Sequence, residues 1–394
     1  MLGAEVEPIL ARDYDSDVVE RIRNLGGTAR AGDLEIRLAR ELGFCYGVDR
    51  AVQHAYETRQ RFPDRRIYLS GEIIHNPAVN RRLETMGFRI LAQAGDPEEC
   101  YAEVTAEDVV VLPAFGVTVR EMEYLRGKGC ILVDTTCGSV MTVWKNVHKY
   151  AREGFTVVIH GKHNHEETRA TASQAMTHPG GQYLCVRDRE AAGWVCAFIR
   201  GDLAAAEVSR RFRHAAGPGF DPDRHLARLG LANQTTMLMS ESLAIQEMLR
   251  AAVRERYGEA ELALRFRAFD TICSATQDRQ DATLQLLDRG GLEVMVVVGG
   301  FNSSNTQALA RICAERLPTY HIDGPEGLEG SAIRHQPLGA KTQRLTQPWL
   351  PEGPAAIGLT AGASTPNSVV AQVIQRILQI RGMDLDDLGP PASR

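Results

Sequence analysis

Asp134-Thr135-Thr136-Cys137, a helix-patterned run ending at Gly154, the apolar stretch 155–159 and the polar loop His160-Gly161-Lys162-His163-Asn164-His165-Glu166-Glu167 make one continuous unit. The unit returns at Asp270-Thr271-Ile272-Cys273. There a helical pattern ends at Gly290-Gly291, residues 292–298 are read as a strand, and the loop is Gly299-Gly300-Phe301-Asn302-Ser303-Ser304-Asn305. A looser copy opens at Cys45 and reaches its polar loop at His75. The separations from Cys45 to His75, Cys137 to His165 and Cys273 to Ser303 are 30, 28 and 30 residues. Self-similarity at a fixed spacing marks repeated supersecondary units and sets the architecture before any single motif does.

A further loop closes each repeat: Pro113-Ala114-Phe115-Gly116-Val117, Asn233-Gln234-Thr235-Thr236, and Thr360-Ala361-Gly362-Ala363-Ser364-Thr365-Pro366, each after an apolar run. Strand and helix patterns alternate throughout, as in Val109–Leu112 and the helical stretch behind it, which implies parallel sheets covered by helices. The expected divisions are an extension 1–34, three α/β repeats at 35–134, 135–268 and 269–383, and a frayed tail 384–394. Residues 191–228, rich in Arg, Pro and Gly, are read as a surface insertion, and 339–354 as a second loop insertion. Ligands of open parallel sheets bind beyond the carboxyl ends of the strands, where these loops fall.

At 394 residues two to three domains are expected. Net charge is −5 and no stretch approaches the roughly 20 apolar residues of a membrane span, so nucleic-acid and membrane partners are not expected. The extension carries Glu5, Glu7, Asp13, Asp15, Asp17 and Glu20, the wrong chemistry for a signal or transit peptide, and is read as acidic and partly helical. Eight cysteines without tight spacing point to a reducing compartment, with the cytoplasm the expected address.

Three cysteines in threefold register suit a cubane iron-sulfur cluster. Such clusters normally take four cysteines, so three leave one iron open to a substrate. Burial as plain structural cysteines is the alternative, and Cys100, Cys130, Cys185, Cys196 and Cys313, which do not recur with the repeat, keep it. A zinc site with three cysteine ligands is not excluded by spacing. In the polar loops, Ser303, Ser304, Asn305 and Ser364 stand at helix starts, where unpaired N–H groups attract phosphate. Simple N-capping explains each serine taken alone. His75 and His165 occupy the matching place in the other repeats. Glu167 could deliver protons, while Gln234 and Thr235 add a carboxamide and a hydroxyl. Neither a dinucleotide fingerprint nor a P-loop is present.

Gly43-Phe44-Cys45-Tyr46-Gly47-Val48-Asp49-Arg50-Ala51, Glu72-Ile73-Ile74-His75-Asn76, Asp134-Thr135-Thr136-Cys137, His165-Glu166-Glu167, Gln234-Thr235-Thr236, Ser303-Ser304-Asn305 and Ala361-Gly362-Ala363-Ser364 resemble, in order, the LytB family of 4-hydroxy-3-methylbut-2-enyl diphosphate reductases. The resemblance spans residues 35–383. It implies a trefoil of three pseudo-threefold-related α/β domains around one central 4Fe-4S cluster, with Cys45, Cys137 and Cys273 as ligands and one iron open. It also implies the last step of the non-mevalonate isoprenoid route. The allylic alcohol meets the open iron, two electrons and protons arrive, water leaves, and isopentenyl and dimethylallyl diphosphates form. By carry-over Glu167 is the proton source, Thr235 its hydroxyl partner and His165 a further catalytic group. His75, His165, Gln234, Thr235, Ser303, Ser304, Asn305 and Ser364 bind the substrate, and a ferredoxin or flavodoxin supplies electrons.

Where many bacterial members carry a second diphosphate-binding histidine, this chain has Phe115, a feature similar to the plant and cyanobacterial branch. His160 and His163 are the candidates to replace it. Two other functions fit parts of the pattern: an iron-sulfur redox sensor without turnover, and a three-cysteine zinc hydrolase acting on a phosphorylated small molecule.

Overall fold

The structure, a computed structural model, describes residues 2–92, 95–269 and 271–390. It is α/β with mostly parallel sheets, as expected. Three sheets share one strand order. The first runs Phe88–Ile90, Ile67–Leu69, Val109–Leu112, Ile131–Asp134; the second runs Tyr183–Val186, Thr156–His160, Leu229–Asn233, Phe266–Ala268. The third runs Thr319–Ile322, Val294–Val298, Ala355–Ala361, Leu34–Leu38, with Thr28–Ala31 added antiparallel at the edge. Every other pairing described in these sheets is parallel. The central strands Thr156–His160, Val294–Val298 and Ala355–Ala361 are buried along their whole length, the reason they read as continuous apolar runs rather than alternating ones.

The strand before each cysteine belongs to the sheet of the repeat before it. Ile131–Asp134 pairs with Val109–Leu112, Phe266–Ala268 with Leu229–Asn233, and Leu34–Leu38 with Ala355–Ala361. In each sheet, therefore, the polar loop, the closing loop and the cysteine segment leave the carboxyl ends of three adjacent strands. Asp270, expected at the end of such a strand, lies outside the described residues.

The chain divides into two compact units, one of Met1–Asp64, Glu72–Phe88 and Ser274–Arg394, the other of Arg65–Gly71 and Arg89–Cys273. The third sheet lies in the first unit. Its core is sealed by helix Asn367–Ile380, whose stripe Val370, Val373, Ile374 and Ile377 packs in one cluster with Ile36, Val296, Ile357 and Leu359. The remaining two sheets, Phe88 apart, lie in the second unit.

The extension carries helices Leu2–Tyr14 and Asp17–Asn24, which lead into the edge strand Thr28–Ala31, and Asp13 accepts hydrogen bonds from Tyr56 Oη and Arg82 Nε, both at 2.9 Å. Two expectations change. The stretch 191–228 is no surface insertion. Ala192, Val195, Cys196, Ile199, Val208, Phe212 and Leu226 are buried with Leu229 and Ile245 in the core of the second sheet. The tail is packed as far as Leu388, with Arg30 N–H donating to Gly389 O at 2.9 Å; residues 391–394 lie outside the described residues. The stretch 339–354 contributes Arg344–Thr346 to a small antiparallel sheet with Leu328–Glu329 and Ala332–His335. Among the described residues no helix is long and apolar enough to cross a membrane.

Candidate active site

Each recurring cysteine is held the same way. Cys137 N–H donates to Ala114 O at 2.8 Å, Cys273 N–H to Thr235 O at 3.3 Å, and Cys45 N–H to Ala363 O at 3.1 Å. The acceptors lie in the closing loops, so each cysteine is tied to the loop that leaves the neighbouring strand of its sheet. Cys45 and Cys137 are the N-cap residues of helices Tyr46–Arg61 and Gly138–Arg152, and Cys273 immediately precedes helix Ser274–Asp288. Neither N-cap thiol is used to cap its helix. All three are partly exposed, and no disulfide involves any of the eight cysteines. Of the other five cysteines, Cys185, Cys196 and Cys313 are buried, which pushes the Cys185 and Cys313 thiols up to about 12 and Cys196 up to about 11; Cys100 and Cys130 are partly exposed, and burial raises them too.

In the second unit Glu167 is 2 % exposed and meets Thr235 twice. Its Oε1 accepts the Thr235 backbone N–H at 2.6 Å, and its Oε2 accepts the Thr235 hydroxyl at 3.1 Å. His165 caps the helix Glu166–Ala175 that carries Glu167, its Nδ1 accepting the Glu167 N–H at 3.2 Å. That bond leaves the proton of the neutral ring on Nε2. Phe115 packs edge-on against His165 with ring centroids 6.2 Å apart. Gln234 is occupied within its own unit: its Oε1 accepts from Lys162 N–H and Thr168 Oγ1, both at 3.2 Å, and its Nε2 donates to Thr236 Oγ1 at 3.0 Å.

The first unit gathers the remaining residues. His75 Nδ1 donates to Glu72 Oε2 at 2.9 Å, and Ser364 Oγ donates to the His75 carbonyl at 3.2 Å. The Gly300 backbone comes so close to that carbonyl that a Cβ would lie 2.4 Å from the oxygen. Ser303 caps helix Ser304–Ala314 by accepting the Thr306 N–H. Asn305 Oδ1 accepts the Ala363 N–H at 2.9 Å, so this side chain fixes the peptide on which Ser364 sits. Ser303, Ser304, Asn305 and Ser364 are all buried.

The family profile described as "LytB protein" matches residues 36–378. The chain belongs to the LytB family. It is 48% identical over 378 residues to the 4-hydroxy-3-methylbut-2-enyl diphosphate reductase of Synechococcus sp. (strain RCC307), covering 95% of this chain and 91% of that one. The corresponding protein of Gloeobacter violaceus is 46% identical over 388 residues, covering 97% and 91%. A solved structure of (E)-4-hydroxy-3-methyl-but-2-enyl diphosphate reductase, the terminal enzyme of the non-mevalonate pathway, matches with TM-score 0.51 and 29% identity over 87% of this chain and 99% of that one. The E-1-hydroxy-2-methyl-but-2-enyl-4-diphosphate reductase of Plasmodium falciparum matches with TM-score 0.63 and 21% identity over 87% of each, a likeness of fold.

In this LytB chain His160 does not replace the histidine missing at Phe115. It is fully buried, its Nδ1 lies 2.8 Å from Ser242 Oγ, and burial pushes its pKa down to about 4. His163 is exposed. The sequence did not single out His321, which donates from Nε2 to Gly299 O at 2.8 Å and packs on Phe301, shaping the Gly299–Asn305 loop from behind. Nor did it single out Arg279, whose signal was present. Buried Thr276, Gln280, Thr283 and Leu287 mark the inner face of helix Ser274–Asp288, and Arg279 lies among them.

Proposed function

We propose that the chain reductively dehydroxylates 4-hydroxy-3-methylbut-2-enyl diphosphate, closing the non-mevalonate route to isoprenoid precursors. The allylic C–O bond breaks, two electrons and two protons are taken up, the oxygen leaves as water, and isopentenyl or dimethylallyl diphosphate remains. The donor set fits an iron-sulfur centre: three thiols at helix starts in equivalent backbone bonds, against Cys185, Cys196 and Cys313, whose thiols burial keeps protonated. The form we favour is one 4Fe-4S cluster on Cys45, Cys137 and Cys273. When bound, it supplies electrons and one Lewis-acidic position.

The observation that carries the reading is at Thr235. Its carbonyl takes the N–H of Cys273 while its own N–H and hydroxyl go to Glu167. A proton source and its hydroxyl partner are thereby fixed beside a cysteine of the set. Glu167 gives up the proton, Thr235 Oγ1 relays or orients it, and His165 Nε2–H faces the substrate as a donor. His75, His165, Ser303, Ser304 and Ser364 hold the diphosphate. Asn305 and Gln234, whose amides are engaged with Ala363 and with Lys162 and Thr168, act by holding the loops. A ferredoxin or flavodoxin in the cytoplasm is the proposed electron source, and the three repeats 35–134, 135–268 and 269–383 are the proposed domains.

Anaerobic purification followed by substrate-dependent oxidation of a reduced dye tests this. The expected protein is brown, contains iron and acid-labile sulfide, and oxidises the dye only with substrate. Serine at Cys45, Cys137 or Cys273 should lower cluster content, and serine at Cys100 or Cys313 should not. A colourless zinc protein points instead to the hydrolase, and a brown protein without turnover to the sensor.

A further inference from the structure

We propose that Arg279 is a positioning residue for the iron-sulfur centre, clamping the turn before Cys45 to the helix after Cys273 and holding a fixed positive charge that favours the reduced state. The proposal rests on the cluster reading above. Arg279 is 5 % exposed, unusual for a residue type seldom buried without a specific use. Its Nη2 donates to Gly43 O at 2.7 Å and its Nη1 to Ala275 O at 2.9 Å. Gly43 lies two residues before Cys45 and Ala275 two residues after Cys273. At 3.8 Å between successive Cα atoms, each carbonyl is within about 8 Å of its cysteine's Cα. The planar fork thus grips backbone on the flank of two of the three proposed ligands.

The turn it grips is otherwise constrained. Gly43 has φ +93°, and a Cβ there would lie 2.4 Å from Asn367 Oδ1, so any other residue would be strained. Arg23 Nη2 donates to the preceding carbonyl, Leu42 O, at 2.9 Å, and the Cys45 N–H is bound to Ala363 O. Of these anchors only Arg279 stands on the helix that Cys273 begins. A guanidinium stays charged at every working pH. Reduction adds negative charge to a thiolate-bound cluster, so a nearby cation stabilises the reduced form more than the oxidised one.

The test compares Arg279→Lys, Arg279→Gln and Arg279→Met in the full chain, reconstituted anaerobically, by redox titration followed by electron paramagnetic resonance and by iron loss to a chelator. Without the charge, the Gln and Met variants should show a reduced-to-oxidised ratio about tenfold lower at the wild-type midpoint, about 59 mV for one electron. The Lys variant should keep that ratio within about twofold. It should nevertheless lose iron several-fold faster, because an ammonium cannot span two carbonyls as a planar fork does. Gln and Met variants with the wild-type potential, or a Lys variant with the wild-type rate of iron loss, overturn the proposal. If Gln and Met do not fold, the Lys variant decides alone. A wild-type protein that takes up no cluster defeats the functional reading itself, whereas a loaded wild type with unaltered variants defeats only this inference.

Discussion

At the scale of single residues, the pairing of Glu167 with Thr235 and the contact of Phe115 with His165 make separable predictions. Glu167→Gln keeps shape and the Thr235 hydroxyl contact but has no transferable proton. Turnover should fall about 10²- to 10⁴-fold, while iron content and substrate affinity stay near wild type. Steady-state kinetics with an iron assay check this, and a variant turning over at the normal rate moves the proton to another group. Phe115 has no donor to offer an anion and works by packing on His165. An aromatic pair is worth about 0.5–1.5 kcal/mol, so Phe115→Ala should weaken pyrophosphate binding roughly 2- to 13-fold. Phe115→His supplies a donor beside His165 and should tighten binding. Calorimetry on both variants separates the effects, and equal weakening by the two would show that only ring volume matters there.

At the scale of elements, the loop Gly299–Asn305 is shaped by close approach rather than by its hydroxyls. Gly300→Ala puts a methyl 2.4 Å from the His75 carbonyl, against backbone that has little room to yield. We expect KM to rise at least about tenfold, with kcat less affected, and the melting temperature to drop. An unchanged KM would mean that His75 and the serine loop do not hold the substrate together. Much of this level was legible in the sequence. Val109–Leu112 is a strand, and the runs at 155–159 and 292–298 overlap strands Thr156–His160 and Val294–Val298, because strands buried on both faces leave largely apolar runs. The stretch 191–228 reads as surface because of its arginines and its Gly217-Pro218-Gly219 segment, while the buried stripe Ala192, Val195, Cys196 and Ile199 is carried by one helix that begins before it. The sheet membership of the strands before the cysteines was not legible at all. Leu34–Leu38 pairs with Ala355–Ala361, and no local pattern reports a partner so distant in sequence.

At the scale of the whole molecule, each compact unit buries a histidine in neutral form. His160 in one and His321 in the other are pushed by burial from the ordinary value near 6.5 down to about 4. The unfolded chain binds these protons first, so the stability they protect is fully present above about pH 6.5 and is lost as pH falls toward 4. At full extent each accounts for roughly 3 kcal/mol. Thermal melts from pH 7.5 to 4 should show this decline, and His321→Gln, which retains a donor for Gly299 O, should flatten part of it. A melting temperature insensitive to pH over that range would mean that both rings charge freely in the folded protein.

The strand order also dictates a timetable. Leu34–Leu38 leaves the ribosome well before its parallel partner Ala355–Ala361, which is made roughly 320 residues later. At about 5–20 residues per second, that leaves it without its mate for some 15 to 60 s. During this interval the nascent chain carries an apolar strand with one open hydrogen-bonding edge, the kind of surface on which chains aggregate. The antiparallel hairpin with Thr28–Ala31 covers the other edge from the start. The segment around Thr28–Ala31 can therefore shield one of the strand's two edges through translation, before there is any finished protein for it to stabilise.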